Sequence, residues 1–137
     1  MFEGKKIVVS ASSNFCDDVK ELVALLTKNG NEVLEYVKNT DREYKEVLFD
    51  FYSAICKTDV LLVYNKDKNG ISGYIGNSVF SEINYAAINN IVHNKNIDIY
   101  LLNDIDKNNS CYGELKYYKD INMIKILSDK EKESLYV

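Results

Sequence analysis

The run Asp59-Val60-Leu61-Leu62-Val63-Tyr64-Asn65 constrains the fold more than any other segment, because its apolar character is nearly unbroken where a half-buried strand would alternate. A strand of that kind belongs at the centre of a parallel sheet with both faces covered. Parallel neighbours need crossover connections, and helical periodicity appears on both sides of the run. Lys6 to Ala11 reads as a first strand and Cys16 to Asn29 as a helix, with Val19, Leu22, Val23, Leu25 and Leu26 on its apolar side and Gly30 closing it. Glu32 to Tyr36 reads as a second strand. Asp41 to Lys57 reads as a helix whose apolar stripe is Tyr44, Val47, Leu48, Phe51, Ala54 and Ile55. After the central strand come a loop from Lys66 to Asn77, a helix from Ser78 to His93, and a strand from Ile97 to Asn103. A loop, a short strand from Met123 to Leu127 and a closing helix from Ser128 to Tyr136 complete the chain.

Alternation of this kind predicts right-handed crossovers in an α/β fold, with one domain over residues 1–137. The expected architecture is a doubly wound, five-stranded parallel sheet of flavodoxin-like or Rossmann-like type, in strand order 2-1-3-4-5, with helices on both faces. Ligands of such sheets bind beyond the carboxyl ends of strands 1 and 3, where the winding reverses. Two segments meet there: Ser10-Ala11-Ser12-Ser13-Asn14-Phe15 and Asn65 to Ser78.

Composition limits the ligands. A formal charge of −4 with no dense basic stripe argues against nucleic acid and against an anionic membrane surface. A small-molecule ligand fits better. Cys16, Cys56 and Cys111 are odd in number and widely spaced, which suits neither a disulfide framework nor a zinc site and sets the cytoplasm as the expected compartment. No stretch approaches a membrane span, no metal-ligand cluster is present, and the phosphate-loop and dinucleotide glycine fingerprints are missing, so no cofactor is expected. Lys66, Lys68 and Lys95 are scattered and form no binding motif. His93, the sole histidine, falls at a helix end, where a surface role is the expectation.

Glu82 stands out chemically. It follows the glycine-containing loop Tyr74-Ile75-Gly76-Asn77 and falls just inside the third helix, about 60° around the helix from Val79, so it borders the buried face beside the expected crevice. A carboxylate there suits nucleophilic chemistry, while the plainer alternative is a capping box with Asn77 or Ser78. Ser10, Ser12, Ser13 and Asn14 offer donors for a sugar or phosphate, or simply cap the following helix. Asn65, Asp67 and Tyr74 belong to the loop after strand 3, where Asn69-Gly70 signals a tight turn and a small flap. Tyr74 could stack on a base. Asp67 could act as an acid if the flap folds inward, or remain a solvated loop residue. Gly76, Asn77 and Ser78 place exposed amides where a hydroxyl or phosphate could bind. Asp59, at the amino end of its strand, is expected to be structural.

These segments together resemble the nucleoside 2-deoxyribosyltransferase family, including its deoxynucleotide N-hydrolase relatives. The likeness rests on Asp59 to Asn65, on Gly73-Tyr74-Ile75-Gly76-Asn77, on Glu82-Ile83-Asn84-Tyr85-Ala86 and on Ile99-Tyr100-Leu101-Leu102-Asn103. It implies cleavage of an N-glycosidic bond or deoxyribosyl transfer on a nucleoside or nucleotide, with Glu82 as the nucleophile. It also implies a homo-oligomer whose subunits complete one another's pockets. Two departures stand out. Where the family carries an aspartate on the second helix this chain has Phe51, leaving the adjacent Asp50 as the candidate second carboxylate, and Asn84 replaces a glycine. The competing expectation is therefore a non-catalytic nucleotide-binding module on the same fold.

Overall fold

The computed structural model describes all of residues 1–137. Five strands and five helices alternate in the order β1 (Lys6–Ser10), α1 (Cys16–Lys28), β2 (Glu32–Tyr36), α2 (Tyr44–Ile55), β3 (Val60–Val63), α3 (Asn77–Val92), β4 (Asp98–Leu101), α4 (Tyr112–Asp120), β5 (Lys125–Ile126) and α5 (Asp129–Leu135). All strand pairs are parallel, and the sheet order is β2-β1-β3-β4-β5, as the alternation predicts.

The central strand behaves as its composition requires. Leu61 and Val63 join the core beneath α2, α3 and α4, whereas Val60, Leu62 and Tyr64 join the core beneath α1 and α5. Both faces are thus dry, and each of the fully buried leucines contributes roughly 2 kcal/mol through removal from water. Register carries the strand ends to a common edge: Ile7 pairs with Val60 and Ser10 with Val63. Asp59 caps the opposite edge, its Oδ2 accepting the Lys6 amide at 2.9 Å, which fits the structural role expected of it.

One expectation fails. The stretch between β4 and β5 was expected as loop, yet Tyr112–Asp120 is helical. Its only buried residue is Leu115, and Gly113 stands in its first turn, so neither periodicity nor propensity marks it. Leu115 in the core and Tyr118 packed against it, its hydroxyl donating to Asn84 of α3, hold the helix to the sheet. Elsewhere the differences are confined to element ends, and a single 3₁₀ turn, Ser13–Phe15, leads into α1. No helix is long and apolar enough to cross a membrane.

Candidate active site

Gly76 is the N-cap of α3, and its extended backbone (φ −81°, ψ 178°) turns the chain into the helix without any side-chain cap. A Cβ on Gly76 would lie 3.1 Å from the Tyr74 hydroxyl, so the glycine lets that ring rest against the helix start. Glu82 follows in the second turn. It makes no capping box: its Oε1 instead accepts a hydrogen bond from Ser10 Oγ at the end of β1, and Ser10 is fully buried. Burial raises the Glu82 carboxyl to about 7, against the Ser10 hydrogen bond, which favours the ionised form. The group is therefore poised between its two protonation states at neutral pH.

Beside it opens a cavity of about 420 Å³, within the usual range of ligand pockets. Ala11, Ser12 and Ser13 form one side, from the loop after β1. Val37 with Tyr44, Val47, Leu48 and Phe51 of α2 form an apolar wall opposite. Tyr74, Gly76, Asn77, Ser78 and Val79 bring in the loop after β3 and the first turn of α3. Glu82 is the one carboxylate among the lining residues.

The cavity lies beyond the ends of β1 and β3, where sheet order places it, and it gathers most of the residues singled out from sequence. Ser12, Ser13, Tyr74, Gly76, Asn77 and Ser78 line it together with Glu82, and Ser10 reaches it through the Glu82 carboxyl. Four others are elsewhere. Asn14 is exposed in the 3₁₀ turn and outside the lining. Asp50 is drawn to the edge of the sheet: its Oδ2 accepts from Arg42 Nη1 at 2.6 Å, and the same guanidinium reaches Glu35 of β2 at 3.3 Å. Phe51, 6% exposed, faces the cavity in its place. Asn65 is buried and spends its amide on the backbone, donating to the carbonyls of Asn103 at 2.9 Å and Gly73 at 3.4 Å and accepting from the Asn103 amide at 3.0 Å. Asp67 accepts the Gly73 amide at 3.1 Å and borders a separate shallow depression with Phe15 and Lys66.

The loop between β3 and α3 is held closely. Asn69 (φ 54°) and Gly70 (φ 74°) form the tight turn that their pairing signals, closed by reciprocal amide bonds between Lys68 and Ile71. Asn109, buried after β4, accepts the Ile75 amide at 2.8 Å and donates to Gly73 O at 3.2 Å. Lys68 leans inward from this hairpin, its Nζ donating to Ser12 Oγ at 2.9 Å and lying 4.8 Å from the centre of the Tyr74 ring.

Sequence reasoning missed two parts of this arrangement. The α2 residues Tyr44, Val47 and Leu48 were visible as an apolar stripe, but periodicity does not separate a core face from a cavity wall. Lys68 carried no motif; its only signal was its place next to the Asn69-Gly70 turn.

No protein-family model matches the chain, and no curated protein sequence does. Among solved structures, the Clostridium botulinum CMP N-glycosidase BcmB aligns with a TM-score of 0.60 at 15% identity, over 96% of this chain and 96% of that one. CapF, solved with the inhibitor 3-isopropenyl-tropolone, aligns with a TM-score of 0.53 at 15% identity, over 88% of this chain and 28% of that one. At such identities the likeness is one of fold.

Proposed function

We propose that this chain cleaves the N-glycosidic bond of a nucleoside or nucleotide, with Glu82 as the nucleophile, and that it is a single-domain relative of the nucleoside 2-deoxyribosyltransferases. The observation that carries the proposal is Glu82 itself: a partly buried carboxyl held by Ser10, poised near neutrality, and facing a cavity of nucleoside size at the switch point of the sheet. The fold likeness to a CMP N-glycosidase over nearly the whole of both chains, and the motif from Gly73 to Ala86, support it.

In this mechanism an ionised Glu82 oxygen attacks the anomeric carbon, the bond to the base breaks, and its electron pair leaves with the base. Water then attacks the same carbon, releasing the sugar and restoring Glu82; an acceptor base in place of water gives transfer. The two-carboxylate arrangement of many glycosidases has no counterpart in the cavity, because Phe51 occupies the wall and Asp50 is tied to Arg42. The departing base therefore takes its proton from solvent at the cavity mouth. That same feature favours a second reading, a binding module that holds a nucleotide without turnover.

A chromatographic screen of nucleosides and nucleoside 5′-monophosphates separates the two. The enzymatic reading expects free base from at least one of them and loss of its release in Glu82→Gln. Intact ligands throughout, with thermal stabilisation by one of them, would establish the binding module instead.

A further inference from the structure

Lys68 is half-buried, and its ammonium contacts neutral groups. No carboxylate lies within ion-pairing distance of it, although the chain carries a net negative charge and pairs Lys38, Arg42, Lys116, Lys119 and Lys132 with acids. Its contacts are the Ser12 hydroxyl and the Tyr74 ring, both of which line the cavity. A lysine on a free loop extends its ammonium into water, whereas this one turns it to the cavity rim. This loop is not free. The hairpin turn, the Asp67 contact to Gly73 and the Asn109 clamp fix the backbone on both sides of Lys68.

Resting on the proposed function above, we propose that Lys68 selects nucleoside 5′-monophosphates over nucleosides by pairing with the phosphate at the cavity rim. A phosphate there supplies the missing counter-charge and several acceptor oxygens. Ser12 is arranged to assist: its oxygen accepts from Lys68, which leaves its own hydrogen free to donate to the same phosphate. Glu82 and Lys68 then divide the substrate between them, the anomeric carbon at the carboxylate and the phosphate at the ammonium. Lys68, at the rim beside the lining residues Ser12 and Tyr74, offsets the charge of an ionised Glu82 toward an incoming anion.

The test measures affinity for a nucleoside 5′-monophosphate and for the matching nucleoside by calorimetry, in the Glu82→Gln background, with each ligand checked intact afterwards by chromatography. The monophosphate is expected to bind at least tenfold more tightly. Adding Lys68→Ala should lower that ratio by roughly ten- to hundredfold, the range for loss of a hydrogen bond to a charged group. Lys68→Arg should restore most of it, and Lys66→Ala, on the same loop, should leave the ratio unchanged. Raising the salt concentration should shrink the ratio in the parent and not in Lys68→Ala. A ratio that survives Lys68→Ala, equal affinity for the two ligands, or binding of neither would overturn the proposal. Continued base release by Glu82→Gln, alongside a ratio that collapses in Lys68→Ala, would remove Glu82 from the mechanism and leave the assignment of Lys68 standing.

Discussion

A single residue, Glu82, joins reactivity to a cost in stability. Its carboxyl sits near 7 in the folded chain, well above its ordinary value of 4.5, because burial disfavours the charge. Attack requires the ionised form, so kcat/KM for base release should rise about tenfold per pH unit below 7 and level off above it. No second carboxylate lines the cavity, so no enzyme carboxylate imposes a falling limb. Ser10 donates to the ionised group and so favours it; Ser10→Ala should move the midpoint to higher pH, whereas a purely structural loss would lower the rate without moving it. The same shift has a fixed sign in stability. A raised folded-state value favours the protonated fold, so this contribution is fully present below about 4.5 and is lost as pH rises through about 7. Relative to the parent, Glu82→Gln should gain stability across that window, reaching at most about 3 kcal/mol above pH 7. Urea denaturation of both proteins at pH 4.5 and pH 8 measures this, and an unchanged difference between the two pH values would contradict it.

At the scale of elements, the loop between β3 and α3 does as much for the cavity as any helix. Gly73 is its tightest point: its φ is +60°, and a Cβ there would stand 2.5 Å from the Asp104 carbonyl oxygen, a backbone atom that cannot yield easily. Gly73→Ala should therefore destabilise the fold by about 1–3 kcal/mol, read from the urea midpoint, and should weaken ligand binding because Lys68 and Tyr74 ride on the same loop. A variant as stable as the parent would show that the loop yields instead. Elements were legible in the sequence to very different degrees. β3 was plain because burial on both faces leaves an unbroken apolar run; the serines after β1 were placed by topology, and Glu82 by topology together with its angle on the helix. α4 was hidden because a single buried leucine leaves no periodic trace. Helix geometry already sets Asp50 about 100° around α2 from the cavity-facing Phe51, while its pairing with Arg42, which also reaches Glu35, comes from contacts the sequence pattern does not mark. Asn65 and Asn109 look like any other asparagine in the chain until the loop folds over them.

Across the whole molecule the two faces of the sheet are finished differently. The helices α2, α3 and α4 cover one face, and on their outer sides Phe49, Ile88, Ile91, Val92, Tyr117 and Ile121 stay exposed, Phe49 at 72%. Ile88, Ile91 and Val92 fall three and four residues apart and share one stripe of α3. Scattered exposed apolar residues are ordinary, but a stripe on one helix flanked by others on its neighbours is the pattern of an association surface. The cavity wall on α2 is itself exposed, Tyr44 at 70% and Leu48 at 37%, but the cavity takes the first turns of α3 and the stripe its last turns. A second copy docked on the stripe would remove Ile88, Ile91 and Val92 from water. If two copies pair through this stripe, sedimentation at tens of micromolar should give a species of twice the 15.7 kDa chain mass, and Ile91→Glu should return it to the monomer. A monomer at every concentration would contradict an association surface on this stripe.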